Sequence, residues 1–234
     1  MQDVLNSHQD VFKPELGTLK GYKAQILVDS DAQPCFCKAR SVPYAMRNKV
    51  EEELEHLEKE GIIEPVQFAD WAAPIVAVLK GDGKTVRICG DFKLIVNQAS
   101  KLDRYPIPKI EDLLAQLAGG TSFTKLDMSQ VYQQLLLEDS KKYVVINTHQ
   151  GLFRYNQLPS GVASALGIFQ QVMESLLSGI PGVVMYIDDI LVTSKTEEEH
   201  LAALEEVTER SWTQTQEGQV CFPSTICCVL GIPD

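Results

Sequence analysis

Two adjacent acidic residues, Asp188 and Asp189, lie between two short runs of apolar, β-prone residues, 183–187 and 190–192. This pattern predicts a hairpin of two mostly buried strands with both carboxylates at its tip. Because neighbouring carboxylates that are partly removed from water repel each other, a divalent cation bound between them is one explanation for the pair. Aspartate is also common in hairpin turns, so a solvated turn is the alternative, and the pair alone favours that alternative.

The composition is that of a globular protein inside a cell. Of the 234 residues, 44% are hydrophobic and 23% are charged, and no stretch approaches the roughly 20 consecutive apolar residues of a membrane span. We therefore expect no membrane partner. The N-terminal residues lack the basic and then apolar profile of a secretory signal, so we expect an intracellular location, cytoplasmic or nuclear. The six cysteines include no CxxC spacing, which favours reduced structural thiols over a zinc site.

The distribution of charge matters more than its sum. A formal net charge of -11 argues at first sight against a nucleic-acid partner, because phosphate binding draws on Lys and Arg. However, many of the acidic residues are concentrated in segments 51–60 and 197–206, which have the pattern of solvated helix faces. In segment 80–109 the balance reverses, with seven basic residues against three aspartates. This segment predicts a basic surface on an acidic protein.

Hydrophobic periodicity predicts helices mixed with antiparallel strands, which indicates an α+β fold rather than a doubly wound parallel sheet. Residues 1–42 show little periodicity and are expected to form an N-terminal arm, and the periodicity is lost again from Ser211 onward. The helix predicted after the YPIP segment carries Ile110, Leu113, Leu114 and Leu117 on one face. Helices are predicted at 47–60, 110–118, 169–178 and 196–207, and strands at 73–80, 86–92, 122–128, 143–147 and 151–155.

Two basic residues lie on the two arms of one predicted hairpin. Lys80 ends the first strand, residues 81–84 form the turn, and Arg87 lies in the second strand. Lys offers a point charge and Arg a bidentate fork, so together they are suited to a triphosphate. A solvated strand edge that is protected by charge explains the same two residues equally well.

A third acidic residue, Asp127, ends the predicted strand 122–128, and Tyr132 follows five residues later. A single aspartate after a strand usually caps a turn or a helix. Convergence with Asp188 and Asp189 would instead make Asp127 a third ligand of a metal ion. The residues by themselves leave this choice open.

The order of these segments resembles that of a reverse transcriptase of the Ty3/gypsy group of long-terminal-repeat retrotransposons. The resemblance runs from about residue 11 to about residue 207. It is carried by colinear motifs, namely EGIIEP at 60–65, WAAPIV at 71–76, RICGDFK at 87–93 with Asn97, YPIP at 105–108, FTKLD at 123–127 with Tyr132, LPSG at 158–161 and YIDD at 186–189.

The resemblance implies the fingers and palm of a right-hand polymerase, with the thumb missing or truncated. It places the fingers mainly in residues 43–120, the palm in residues 121–210 with part of the fingers near 135–160, and a degenerate or truncated tail in residues 211–234. The implied activity is RNA-directed DNA polymerisation, in which deoxynucleotides (dNTPs) are added to the 3′-hydroxyl of a primer on an RNA or DNA template. The oligomeric state stays open.

The resemblance also assigns two sets of site residues. The catalytic set would hold two Mg²⁺ ions, or Mn²⁺ in their place, and consists of Asp127, Asp188 and Asp189. Within the nucleotide-binding set, the bulk of Tyr132 would exclude a 2′-hydroxyl, and Lys80 and Arg87 would grip the triphosphate. Gln157 and Gly161 complete this set, in a segment that would pack near the template and the nucleotide.

Three positions depart from the pattern of the family. Ser160 stands where the family usually has Phe, Leu166 replaces a usual Pro, and Gln157 replaces a frequent Arg. A lysine-bearing segment that follows the palm helix in the family is not recognised in residues 211–218. These departures motivate a second hypothesis, a non-catalytic protein that retains the fold to bind a nucleic acid or a protein, and a third, a chain without a stable fold.

Overall fold

Two units, each assembled from separate parts of the chain, make up the computed structural model. It describes residues 17–101, 105–128, 130–213, 215–216 and 226–230. The first unit, here called the carboxylate unit, is drawn from residues 1–22, 104–134 and 166–234. The second, here called the five-stranded unit, is drawn from residues 23–103 and 135–165. The domain boundaries that the resemblance implies stay a prediction.

The strands and α-helices follow in chain order: β1 (Thr18–Leu19), β2 (Lys23–Ala24), α1 (Tyr44–Lys59), β3 (Ile63–Val66), β4 (Ala73–Leu79), β5 (Val86–Gly90), α2 (Val96–Ala99), α3 (Ile110–Leu117), β6 (Ser122–Asp127), β7 (Leu136–Leu137), β8 (Val145–Thr148), β9 (Gly151–Tyr155), α4 (Ala165–Leu177), β10 (Val183–Tyr186), β11 (Asp189–Ser194), α5 (Glu197–Thr213), β12 (Thr215–Gln216) and β13 (Ile226–Leu230). Short 3₁₀ turns cover Phe92–Leu94, Val131–Gln134 and Asp139–Tyr143. The expected mixture of helices and antiparallel strands is confirmed.

A four-stranded antiparallel sheet with the strand order β10-β11-β6-β13 forms the base of the carboxylate unit. Side chains alternate between the two faces of a strand, and Leu126, Ile190 and Val192 are among the buried ones, each at most 1% exposed. Helix α4 adds the fully buried Phe169, and helix α5 packs beside β11 with Val207 buried. The sheet and these two helices therefore enclose one apolar core.

A mixed sheet with the strand order β3-β9-β8-β4-β5 organises the five-stranded unit. The β4–β5 and β8–β9 pairs are antiparallel, whereas β4 and β8 run parallel. Helix α1 buries Val50, Leu54 and Leu57, the residues whose spacing predicted its apolar face. The rings of Phe92 and Tyr155 meet edge to face with their centroids 6.4 Å apart, and both residues are at most 2% exposed.

Helix α3 forms where it is predicted, and its apolar face is only partly buried. Leu113 is buried, whereas Ile110 is 58% and Leu114 61% exposed. Adjacent side chains on a helix point about 100° apart, so burial of Leu113 does not bury Leu114 with it. Among the described helices, none combines the length and the apolar character that crossing a lipid bilayer requires.

Regular structure continues beyond Ser211, where the sequence pattern predicts none. Helix α5 ends at Thr213, and residues 226–230 form β13. This strand pairs antiparallel with β6, from Ile226 opposite Leu126 to Leu230 opposite Ser122. A short apolar run such as Ile226–Leu230 has no alternation from which a strand is recognised, which explains why the sequence pattern did not reveal it.

Candidate active site

The β10–β11 hairpin carries two of the three predicted catalytic acids at its tip. Tyr186 pairs with Asp189, so Ile187 and Asp188 form a two-residue turn. Ile187 has a φ of 57°, a left-handed conformation that a β-branched residue rarely adopts. The predicted hairpin is confirmed, with Asp188 in its turn and Asp189 as the first residue of the second strand.

The third acid, Asp127, lies on the neighbouring strand. Asp127 is directly opposite Asp189 in the β6–β11 pair, and the next amide, Met128 N–H, donates to the carbonyl oxygen of Asp188 at 3.0 Å. Directly opposed residues of antiparallel strands have Cβ atoms roughly 4.5–5.5 Å apart and point to the same face. The structure thus brings Asp127, Asp188 and Asp189 together at one end of the sheet.

Asp188 has the least favourable surroundings of the three carboxylates. Its Oδ1 atom is buried and has no hydrogen-bond partner among the described residues. Burial raises the pKa of the Asp188 carboxyl, and the nearby carboxylates of Asp189 and Asp127 raise it further. A carboxylate in this position is stabilised either by a proton or by a cation.

Asp189 already has a cation beside it. Lys125 Nζ lies 2.9 Å from Asp189 Oδ2. Lys125 and Asp127 are two residues apart on β6, so their side chains leave the same face of the sheet. The lysine therefore offsets part of the negative charge of the acid cluster.

The chemistry of this cluster suits a hard divalent cation, for which carboxylate oxygens are the preferred ligands. The observation that supports this fit is the buried Oδ1 of Asp188, which has no hydrogen-bond partner in the described part of the chain. As placed, the acids do not form a closed cage: no group of three or more His, Cys, Asp or Glu side chains in the described ranges converges on one point. A bound ion would therefore have to draw the side chains together.

Tyr132 lies in the same unit as the three acids. Its ring meets the Phe169 ring edge to face, with centroids 5.9 Å apart and planes at 85°. Partial burial raises the pKa of the Tyr132 hydroxyl, and the carboxylate of Asp188 raises it further. The ring is thus fixed by Phe169 within electrostatic reach of Asp188.

Lys80 and Arg87 belong to the five-stranded unit and confirm the predicted hairpin. Lys80 N–H donates to Thr85 O at 2.9 Å, and Val78 is opposite Arg87 in the β4–β5 pair. Strand alternation therefore places Lys80 and Arg87 on one face of the hairpin. Both side chains are exposed, and Lys80 Nζ lies 3.9 Å from Glu53 Oε1.

Gln157 and Gly161 also belong to the five-stranded unit. Gln157 is 6% exposed, and its Oε1 has no hydrogen-bond partner among the described residues. Gly161 has a φ of 94°, and a Cβ atom there would lie 3.1 Å from Gly90 O. The Asn97 side chain fixes this loop, since its Nδ2 donates to Gly161 O and its Oδ1 accepts from Ala163 N–H, both at 2.8 Å.

Two residues that contact the hairpin tip were not singled out in the sequence as site residues. Lys125 lies within the FTKLD motif, where strand alternation places it on the face of Asp127. Gln170 lies on the apolar, buried side of α4, and it bonds to the hairpin turn. The available signal for Gln170 was a polar residue between Phe169 and Met173, both of which are fully buried.

Comparison with known proteins gives the family. Residues 78–214, more than half of the chain, match the sequence profile described as reverse transcriptase (RNA-dependent DNA polymerase). The chain belongs to the reverse transcriptase family. The resemblance that the motifs indicate is thereby confirmed.

Several relatives of this chain are named as transposon polyproteins. The protein named uncharacterized protein K02A2.6 of Caenorhabditis elegans is 40% identical over 208 residues, which cover 88% of this chain and 16% of the relative. The retrovirus-related Pol polyprotein from transposon opus of Drosophila melanogaster is 32% identical over 85% of this chain and 21% of its own length. The transposon Tf2-3 polyprotein of Schizosaccharomyces pombe is 29% identical over 82% of this chain and 14% of its own. The chain thus spans about a fifth or less of the length of these relatives.

Solved structures confirm the fold. The foamy viral protease-reverse transcriptase dRH in complex with double-stranded DNA superposes with a TM-score of 0.81 at 20% identity, covering 94% of this chain and 40% of the other. The foamy viral protease-reverse transcriptase in complex with an RNA/DNA hybrid gives a TM-score of 0.81 over 93% and 30% of the two chains. The α+β fold is therefore that of a reverse transcriptase polymerase domain.

Proposed function

We propose that this chain is the RNA-directed DNA polymerase portion of a retrotransposon Pol polyprotein. The observation that carries the proposal is the position of three carboxylates on β6 and the β10–β11 hairpin, with the buried Oδ1 of Asp188 unpartnered among the described residues. The proposed reaction joins the primer 3′-oxygen to the α-phosphorus of a dNTP and releases pyrophosphate. Membership of the family supports this reaction class.

Asp127, Asp188 and Asp189 are the residues that would hold the divalent ions, Mg²⁺ or Mn²⁺. Such ions, when bound, favour ionisation of the attacking hydroxyl and neutralise charge on the leaving phosphates. The β6–β11 pairing fixes the backbone positions of Asp127 and Asp189, and the turn fixes that of Asp188. Positioning of this kind is the main contribution that a protein makes to phosphoryl transfer.

The roles of the nucleotide-binding residues are proposals of the same kind. Lys80 and Arg87, exposed on one face of the β4–β5 hairpin, suit the triphosphate. Tyr132, held by Phe169, suits the exclusion of a 2′-hydroxyl. Asn97 fixes the loop that contains Gly161, and Gln157 lies four residues before Gly161 in the chain; for both we propose a role near template and nucleotide.

We further propose a primer paired with an RNA or DNA template as the macromolecular partner. The foamy viral enzymes that share the fold are described in complexes with double-stranded DNA and with an RNA/DNA hybrid. The predicted intracellular location agrees with this partner but remains a prediction. Activities of the other parts of the polyprotein lie outside this proposal.

Incorporation of a single deoxynucleotide onto a DNA primer annealed to RNA tests the proposal. The reaction is run with Mg²⁺ or Mn²⁺ on the wild-type chain, on Asp188→Asn and on Asp112→Asn, an exposed acid of α3 in the same unit. We expect incorporation by the wild type and by Asp112→Asn, and its loss in Asp188→Asn. Equal incorporation by all three chains would overturn the catalytic assignment.

The Lys125–Asp189 ion pair favours a second candidate function, a non-catalytic nucleic-acid-binding protein. An ammonium group 2.9 Å from Asp189 satisfies that carboxylate without any metal. This candidate predicts that the chain binds primer–template with an affinity that falls steeply as salt is raised, yet incorporates nothing. Incorporation of even one deoxynucleotide counts against it.

A further inference from the structure

Gln170 is a fully buried amide that bonds to the backbone of the hairpin carrying Asp188 and Asp189. It lies on α4 and is 0% exposed. Its Nε2 donates to Met185 O at 3.1 Å, and its Oε1 accepts from Ile187 N–H at 3.2 Å. The amide therefore bridges Met185, near the end of β10, and Ile187, the first residue of the turn.

The two backbone partners fix the orientation of this amide. Ile187 N–H is a donor only, so the amide oxygen must face it, and Met185 O is an acceptor only, so the amide nitrogen must face that. The second hydrogen on Nε2 is also used, since Nε2 donates to Glu174 Oε1 at 2.7 Å. Both hydrogens and the oxygen of Gln170 are thus engaged, as a polar group buried to this extent requires.

A further bond holds Glu174 in place. The hydroxyl of Tyr105 donates to Glu174 Oε2, the second oxygen of the same carboxylate. Tyr105 belongs to the YPIP motif, and Glu174 lies one turn after Gln170 on α4. A continuous chain of hydrogen bonds therefore leads from Tyr105 through Glu174 and Gln170 to the hairpin turn.

The turn is a conformation that needs support. Ile187 adopts a φ of 57°, which its β-branched side chain disfavours. A residue held in a sparsely populated backbone region persists only where its surroundings impose it. Gln170 bonds on both sides of Tyr186, to Met185 O and to Ile187 N–H, and so braces the backbone at the point where the left-handed residue begins.

We propose that Gln170 is a positioning residue, which holds the Ile187 backbone in its left-handed conformation so that Asp188 and Asp189 are presented beside Asp127. Its catalytic consequence rests on the proposed polymerase function. Its structural consequence, an ordered turn with a preset carboxylate geometry, does not.

Gln170→Met tests this inference because it keeps the length of the side chain and removes all three hydrogen bonds. Gln171→Met on the exposed side of α4 is the matched control. Loss of a group that orients metal ligands typically costs about 10- to 100-fold in metal affinity or activity, and we expect a loss on that scale in Mn²⁺ affinity. If incorporation occurs, we expect kcat to fall while the KM for dNTP changes little.

Hydrogen exchange of the Ile187 amide, followed on the ¹⁵N-isoleucine-labelled chain, gives a readout that does not depend on catalysis. We expect the Ile187 amide to be protected in the wild type and in Gln171→Met. In Gln170→Met the Ile187 amide should exchange faster, whereas the exchange rate of the Ile190 amide should not change. A wild-type Ile187 amide that exchanges as an exposed one overturns the inference even if Gln170→Met fails to fold.

The Ile187→Gly background separates positioning from a general loss of packing. Glycine accepts the left-handed conformation without the steric penalty of isoleucine, so the turn depends less on the brace. We expect Gln170→Met to reduce Mn²⁺ affinity by a smaller factor in Ile187→Gly than in the wild type. Equal factors in both backgrounds, or a Gln170→Met variant that matches Gln171→Met, would contradict the proposal. Mn²⁺ binding without incorporation by the wild type would count against the polymerase function alone.

Discussion

Asp127 and Asp189 lie directly opposite each other on neighbouring antiparallel strands, and the turn that precedes Asp189 adds Asp188 to the same end of the sheet. Like charges directly opposite each other across a strand pair destabilise the pair. Lys125 offsets the charge on Asp189, whereas one oxygen of Asp188 is buried without a partner among the described residues. The site is therefore built at a cost in stability that a bound cation would reduce.

Removal of the Asp188 charge is expected to stabilise the metal-free chain. Partly solvated like charges repel by up to about 1 kcal/mol, so we expect Asp188→Asn to raise the free energy of unfolding by up to that amount at pH 7 without divalent ions. Because burial and the neighbouring acids raise the pKa of Asp188, the folded state of the wild type binds more protons than the unfolded state. The extra stability of Asp188→Asn should therefore fade as the pH falls towards 3.8, the usual pKa of Asp.

Addition of Mg²⁺ should stabilise the wild type more than Asp188→Asn, and the reverse order would contradict a metal role. Urea unfolding measures both effects, with Asp112→Asn as the control.

Removal of the Lys125 charge is expected to tighten metal binding. The ammonium of Lys125, 2.9 Å from Asp189 Oδ2, competes with any cation for that carboxylate. We expect Lys125→Met to raise Mn²⁺ affinity roughly tenfold, which corresponds to about 1.4 kcal/mol. Calorimetric titration measures the change, and Lys195→Met, an exposed lysine of the same unit, serves as the control. Unchanged affinity would mean that Asp189 does not bind the ion.

The stability of the carboxylate unit is expected to fall in mild acid through His200. This residue is 2% exposed, and its two ring nitrogens lie 2.7 Å from Thr124 Oγ1 and 3.1 Å from Ser194 Oγ. Burial lowers its pKa below the usual 6.5, so the unfolded state binds more protons than the folded state once the pH falls below that value. Below pH 6.5 we expect the free energy of unfolding of the wild type to fall by at most about 1.4 kcal/mol per pH unit because of this residue. His200→Gln should lack this contribution. A wild-type unfolding free energy that stays flat between pH 7 and pH 5.5, relative to the variant, would show that His200 titrates normally.

The loop that contains Gly161 is expected to reject a side chain. An alanine there would combine a φ of 94° with a Cβ atom 3.1 Å from Gly90 O, and strained backbone conformations cost about 1–3 kcal/mol. Gly83 is the matched control, because it has a φ of 65° but no atom of the described residues lies within 4 Å of an added Cβ. We expect Gly161→Ala to destabilise the chain more than Gly83→Ala in guanidinium unfolding. Equal losses would mean that the close approach to Gly90 relaxes at no cost.

Local patterns in the sequence predicted local structure well. The apolar, β-prone runs on both sides of Asp188 and Asp189 predicted the hairpin, and the turn at 81–84 predicted the β4–β5 pair that carries Lys80 and Arg87. The proximity of Asp127 to Asp189 was harder to predict from the sequence. The register between β6 and β11 joins residues 62 positions apart, and such a pairing produces no periodic pattern in the sequence. That proximity followed from the resemblance to a family.

Three features of the structure could not be obtained from pattern alone. The exposure of Ile110 and Leu114 depends on what packs against α3, which the amphipathic spacing does not specify. The role of Gln170 depends on backbone groups of a distant hairpin, and a helical pattern records only that a polar residue interrupts an apolar face. The Lys125–Asp189 pair likewise requires the register of β6 against β11.

Strand β13 has a consequence for self-association of the chain. It covers the side of β6 that β11 leaves open, along Ser122–Leu126, next to Asp127. Without residues 226–230, that row of backbone N–H and C=O groups would be a ready template for a strand from another molecule, the usual route to aggregation. Five residues far from the acids in sequence therefore protect β6 from pairing with a strand of a second molecule.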